Sequence, residues 1–264
     1  MHAAAYRALR MPHAYEAIRA TADELPAVVA RLRSGSLDGI NVTVPHKERV
    51  MGLADALDAT AGVAGAANTL VRDPGGRVVA HNTDAPALAI ELRRLAGPHA
   101  AWSEMRALVL GSGGAARAAI VALGVNLGVR DIVVRARAFA DAARRSAFLA
   151  SAPCPVAAQE WEASPASEET TRALVQATSA GMQGMGGGEA AASAVAWASL
   201  QEGAVAIDVV YSPRDTPWLR AARARGLVCD DGLGMLARQG ALAFELWLEK
   251  PAPFDAMRAA VESP

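Results

Sequence analysis

The run Ala107-Leu-Val-Leu110 is wholly apolar and leads directly into Gly111-Ser-Gly-Gly-Ala-Ala116, then into an Ala-rich stretch. A strand with no polar face is buried on both sides, which happens when helices connect parallel strands and cover the sheet. The glycines match G-x-G-x-x-A. Between a strand and a helix they allow a tight turn and bring backbone N–H groups close to a pyrophosphate at the helix N-terminus. That context favours a dinucleotide site at Gly111, Ser112, Gly113, Gly114 and Ala115; a tight turn without a ligand is the alternative. A second apolar strand is expected over 132–134, with weaker ones around Val156, over 174–175 and over 205–210. Alternating strands and helices of this kind predict a parallel, Rossmann-type sheet.

The end of the second strand selects the cofactor. A carboxylate there takes the ribose hydroxyls of NAD, and an arginine takes the additional phosphate of NADP. Asp131 stands at the start of that strand, whereas Arg135-Ala-Arg137 stands at its end. A guanidinium bonds two phosphate oxygens at once. Arg135 and Arg137 therefore predict NADP(H) over NAD, against the alternative of a solvated basic turn.

The rest of the chain reads as α/β. A helix without a capping residue is expected over 1–10 and a strand over 14–19. Thr21-Ala-Asp-Glu24 has capping-box spacing ahead of Leu25, Val28, Val29 and Leu32. A short strand is expected over 39–44 and a helix over 47–57. Strands over 69–72 and 77–80 flank the turn Asp73-Pro-Gly-Gly76, a hairpin signal. Helices are expected over 84–95 and 234–250, and Met185-Gly-Gly-Gly188 as a loop. This pattern predicts a substrate-binding catalytic domain over 1–85, completed by a C-terminal helix within 231–264, and a dinucleotide-binding domain over 86–230.

A formal net charge of −1 excludes a general nucleic-acid or membrane-surface binder, since either needs a basic surplus. The two cysteines form no disulfide framework and point to reduced thiols in the cytoplasm. The longest apolar stretch, 107–125, is interrupted by four glycines and Arg117, so no membrane span is expected. The histidines lack metal-ligand spacing, and no metal is expected. A small-molecule substrate and a monomer or homodimer fit such a chain.

Asn41-Val-Thr-Val-Pro-His-Lys47 places a lysine at an expected strand-to-helix junction, where it gains nothing from the helix dipole; exchanging a proton gives it a purpose. Taken alone, an ordinary surface lysine is the stronger explanation. Gly65-Ala-Ala-Asn-Thr69 and His81-Asn-Thr-Asp84 add amides and hydroxyls beside strand ends, a polar set suited to a sugar-like acid. Lys47 and Asp84 are the pair expected to hold the reacting oxygen and pass it a proton. Gln239 lies on the apolar stripe of Met235, Leu236, Leu242, Ala243 and Leu246, where a buried amide must find partners.

Taken together, NVTVPHK, GAANT, NTD, GSGGAARA, ATSAGM and DGLGMLARQGALAFELW resemble the shikimate dehydrogenase family, in that family's order, from Asn41 to Trp247. The resemblance implies NADP-linked reduction of 3-dehydroshikimate to shikimate, a step of aromatic amino acid biosynthesis, with Lys47 and Asp84 as the catalytic pair. It places Asn41, Thr43, Asn68, Thr83, Tyr211 and Gln239 around the substrate, and Thr178, Ser179 and Met235 near the cofactor. A quinate or aminoshikimate dehydrogenase and a non-catalytic sensor of shikimate or NADPH are the competing implications. The family begins with a strand and a Ser-x-Ser loop that binds the substrate carboxylate. Neither has a counterpart here, and a start codon placed late is the expectation. Gln176 stands where the family has Asn, and Arg135-Ala-Arg137 where it has Asn-Arg-Thr.

Overall fold

The hairpin at Asp73-Pro-Gly-Gly76 organises the first of two units in the computed structural model, which describes residues 1–161 and 168–263. One unit is Met1–Ala87 with Met235–Pro264; the other is Leu88–Gly234. In chain order the first contains α1 (His2–Ala8), α2 (Leu25–Arg33), β1 (Gly39–Asn41), β2 (Ala56–Leu57), α3 (Ala59–Ala64), β3 (Thr69–Arg72) and β4 (Val78–His81). Its four strands are ordered β1-β3-β4-β2; β3 is antiparallel to both neighbours and β2 is parallel to β4. Asp73 closes the hairpin by accepting Arg77 N on its carboxylate at 2.8 Å, while Gly76 takes φ +84°. Leu25, Val29 and Leu32 of α2 pack onto Leu70, Val78 and Ala80 of the sheet.

Two expectations fail here. Residues 14–19 form no strand, because their side chains do not segregate into two faces and no neighbouring strand pairs with them among the described residues. The helix expected over 47–57 is instead a 3₁₀ turn, Arg49–Leu53, followed by β2. Asp55 ends it: its backbone N–H bonds Val78 O at 2.8 Å and its carboxylate accepts from Val78 N and Arg33, which ties this segment to the edge of β4. The capping box is half made. Glu24 accepts from Thr21 N at 2.7 Å, but the helix starts only at Leu25, where Pro26 suits the first turn.

The chain then enters α4 (Asp84–Ala96), which begins in the first unit. The second unit holds β5 (Arg106–Leu110), α5 (Gly114–Ile120), β6 (Asp131–Ala136), α6 (Ala142–Ala150), β7 (Ala157–Glu160), β8 (Thr171–Gln176), α7 (Gly188–Ser193), β9 (Val205–Asp208), α8 (Pro217–Ala224) and β10 (Val228–Asp230). The six strands form one parallel sheet in the order β10-β9-β8-β5-β6-β7. This is the doubly wound arrangement expected from the apolar strands. Leu108, Leu110, Leu174 and Ala206 form a core with Trp218 and Leu219 of α8. Thr216 caps that helix through Leu219 N with Pro217 at its first position, a start signal present in the sequence. No helix among the described residues is long and apolar enough to cross a membrane.

The chain closes with α9 (Leu233–Leu248) and α10 (Phe254–Glu262). Phe244 and Ala241 of α9 share a small core with Ala5 and Tyr6 of α1 and Met257 of α10. Trp247 donates its indole N–H to Leu70 O at 3.0 Å and lies against Gly39, where an added Cβ would be 2.2 Å from the indole nitrogen. The ring is held by its hydrogen bond, so Gly39→Ala should destabilise the protein by about 1–3 kcal/mol, as overpacking does. Thermal unfolding followed by tryptophan fluorescence checks this; an unchanged midpoint would mean the indole moves aside at no cost.

Candidate active site

The first unit gathers its polar residues where β3, β4 and the start of α4 meet. Register pairs Thr69 with His81, and Asn68 N donates to His81 O, so the amide of Asn68 faces the residues that follow β4. Asn82 then starts α4: its side-chain oxygen accepts from the backbone N–H of Asp84 and of Ala85, both at 3.1 Å. That cap puts Asp84 in the first helical turn, where a carboxylate is favourable beside the exposed N–H groups. Lys47 lies in the turn after β1, and its carbonyl is pinned by Ala67 N at 2.8 Å.

These local choices bring together residues far apart in sequence. Lys47 Nζ donates to Asp84 Oδ2 at 2.7 Å, with the lysine side chain 19% and the aspartate side chain 8% exposed. Asn68 Nδ2 shares its two hydrogens among Asp84 Oδ1 (2.9 Å), Thr83 Oγ1 (2.9 Å) and Gln239 Oε1 (3.2 Å). Its oxygen accepts Thr83 N at 2.7 Å. Gln239 Nε2 donates to Leu236 O, so the half-buried amide on α9 has partners at both ends. Asn41 reaches this cluster through Thr69 Oγ1 at 3.3 Å and accepts from the Tyr15 hydroxyl at 3.0 Å. Thr43 is exposed on the turn before Lys47. A groove of about 430 Å³ is lined by Asn41, Thr43, Tyr15 and Trp247 among others, though by neither Lys47 nor Asp84.

Such a cluster can hold a polyhydroxylated ligand through amide and hydroxyl groups while a charged lysine, kept in place by a carboxylate, gives or takes a proton. Sequence reading missed Asn82, although Asn ahead of Thr-Asp and an apolar helix is a start signal. It also missed Tyr15, which no local pattern marks.

In the second unit the Gly-rich turn has the backbone that its composition predicts. Gly111 takes φ +113°, and a Cβ there would come within 2.9 Å of Ala177 O and of Thr178 Cγ2. Added Cβ atoms at Gly113 and Gly114 meet nothing within 4 Å, so the face above the turn is open. Ser112 and Ala115 are half-buried at the start of α5. Thr178 and Ser179 lie on the loop after β8, beside Gly111, and Ser179 is exposed. Tyr211 is exposed on the loop after β9, and Met235 is half-buried in α9 of the first unit.

The two arginines part company. Arg137 follows β6, is exposed, and has its guanidinium 6.0 Å from the Trp161 ring centroid. Arg135 does not meet the phosphate-binding expectation. It is 2% exposed and on the same face of β6 as Val133, with Nη2 donating to Glu168 at 3.0 Å and to Gln159 at 2.8 Å and Nη1 to Ala194 O. Strand alternation sends its side chain into the core, and a buried guanidinium must be neutralised and hydrogen-bonded there. Among the described residues no group of three or more His, Cys, Asp or Glu is arranged to hold a metal ion.

The chain is similar to known proteins over most of its length. Residues 1–70 match the family model of the shikimate dehydrogenase substrate binding domain, and residues 232–262 that of the shikimate 5'-dehydrogenase C-terminal domain. The shikimate dehydrogenase (NADP(+)) of Methylobacterium radiotolerans is 42% identical over 240 residues, 90% of this chain and 81% of that protein. Shikimate 5-dehydrogenase of Listeria monocytogenes, solved with shikimate and NAD, superposes with a TM-score of 0.85 at 27% identity, covering 98% of this chain and 90% of that one. The enzyme of Thermus thermophilus, solved with NADP(H) and shikimate, gives a TM-score of 0.80 at 33% identity, covering 99% and 92%.

Proposed function

The chain belongs to the shikimate dehydrogenase family, and we propose that it catalyses the reversible, NADP-linked reduction of 3-dehydroshikimate to shikimate. One observation carries the reading: the 2.7 Å Lys47–Asp84 pair, bordered by Asn68, Thr83 and Gln239, presents a proton donor inside a ring of amides and hydroxyls. The first unit then serves as the substrate domain and the second as the cofactor domain.

Lys47 protonates the substrate carbonyl oxygen and recovers its proton from solvent. Asp84 fixes the ammonium and accepts from a substrate hydroxyl. Asn41, Thr43, Asn68, Thr83 and Gln239 orient the ring hydroxyls, and Tyr211 joins them as the resemblance implies. The open backbone at Gly113 and Gly114 fits a pyrophosphate, and Ser112 and Ala115 lie at the same helix start. Arg137 is the residue for the 2′-phosphate, Thr178 and Ser179 flank the turn, and Met235 keeps the cofactor contact that the resemblance implies. NADPH, when bound there, supplies the hydride. The reading extends to a monomer or homodimer working in the cytoplasm.

The test is NADP-dependent oxidation of shikimate, with quinate beside it. Turnover of shikimate well above that of quinate is the expected result. A preference for quinate reassigns the substrate. Binding of shikimate or NADPH without turnover makes the protein a sensor and removes Lys47 from its role.

A further inference from the structure

Where β8 and β9 end, Gln176 and Asp208 are register partners, and both side chains are fully buried. Gln176 Oε1 accepts from Thr178 N at 2.6 Å and from Thr178 Oγ1 at 2.7 Å, while Nε2 donates to Ala180 O at 3.1 Å and to Asp208 Oδ1 at 3.2 Å. Thr178 Oγ1 in turn accepts Ala180 N at 3.0 Å. One amide thus staples the whole turn 177–180. Asp208 Oδ1 also accepts Val210 N at 3.0 Å, and Oδ2 accepts the buried Thr216 hydroxyl at 2.6 Å. The stapled turn abuts the Gly-rich loop: Ala177 N bonds Leu110 O, and Ala177 O and Thr178 Cγ2 are the atoms that exclude a Cβ at Gly111. An added Cβ at Gly181, just beyond the turn, would lie 3.6 Å from the Thr216 side chain.

We propose that Asp208 is a positioning residue for cofactor binding: through Gln176 and Thr216 it holds the turn 177–181 in the one arrangement that leaves the Gly-rich loop able to receive the dinucleotide. The assignment rests on the cofactor role given above to Thr178, Ser179 and the Gly111 turn. An amide can face its surroundings in two orientations, and an acceptor-only neighbour decides between them. An ionised Asp208 accepts only from the NH₂ end of Gln176, so the oxygen end must face Thr178. Burial pushes the Asp208 carboxyl up to about 6, against the Thr216 and Val210 bonds that lower it and with Asp231 adding to the rise, which leaves it charged at neutral pH. Among the described residues no member of the Lys47 cluster shares these bonds. In Asp208→Asn the amide oxygen can still accept Val210 N, ahead of Tyr211, so the substitution acts on the turn 177–181 and through it on the cofactor.

The experiment measures NADPH affinity of the full chain by fluorescence titration, beside kcat and both KM values. Asp208→Asn keeps the shape and removes the charge. It should weaken NADPH binding by about 5–30-fold, the effect of losing a charge-assisted bond, with shikimate KM within about twofold of wild type. Thr216→Val should shift NADPH affinity in the same direction, and Thr216→Ser should restore it. Should Asp208→Asn not fold, the Thr216 pair decides alone. Unaltered NADPH affinity in the folded variants, or shikimate KM rising in step with it, overturns the assignment. Wild-type turnover keeps the two readings apart: a protein that binds NADPH but does not oxidise shikimate counts against the activity, whereas normal wild-type turnover with unaffected variants counts against Asp208. A wild type that binds no NADPH overturns both.

Discussion

Lys47→Ala should lower kcat for shikimate oxidation by roughly 10²–10⁴-fold, the range expected for loss of a general acid–base group. NADPH affinity should stay near wild type, because the Gly-rich turn belongs to the other unit. The loss has two components, the proton and the charge beside Asp84. Lys47→Arg separates them. Arginine keeps a cation able to bond the Asp84 carboxylate but does not release a proton near neutral pH. It should stay almost as slow as the alanine variant. Arginine activity within about tenfold of wild type would mean that charge alone suffices and that the proton comes from elsewhere. Steady-state rates with saturating NADP at several pH values decide between the two.

Glu168→Ala should destabilise the protein by about 3–5 kcal/mol, the usual consequence of removing one partner from a buried ion pair. Arg135 and Glu168 have side chains 3% and 5% exposed, and the glutamate also accepts the Thr171 hydroxyl at 2.9 Å. Without it the guanidinium retains Gln159 and Ala194 O but, among the described residues, no countercharge. The desolvation penalty of that charge then goes uncompensated, near the buried end of β6. Replacing both partners by apolar residues, Arg135→Met with Glu168→Leu, should recover most of the loss, since an apolar pair has nothing left to neutralise. Chemical unfolding monitored through Trp197 and Trp218, which pack beside this sheet, measures both variants. If the single alanine variant unfolds within about 1 kcal/mol of wild type, water reaches the pair and its burial is not what holds the strand end.

Whatever depends on neighbours in the chain could be read from the residues alone. The apolar β5 followed by glycines with room above them, the Asp73–Gly76 hairpin and the long helices starting near Asp84 and Leu233 all rest on periodicity, turn chemistry and capping, which act over a few residues. The family motifs likewise named Lys47, Asp84, Asn68 and Gln239. Only the tertiary structure brought Lys47 to Asp84 across 37 residues and Gln239 to Asn68 across 171. It also turned Arg135 inward onto Glu168, 33 residues on, although both arginines of Arg135-Ala-Arg137 look equally available for phosphate. The helix expected over 47–57 gave way for the same reason, since Asp55 finds better partners on β4 and Arg33 than helix continuation offers. Local propensity is worth tenths of a kcal/mol per residue, whereas a buried charge or an unmet backbone group costs several. Where the two compete, the partner reached through the fold decides, and a pattern read along the chain does not contain it.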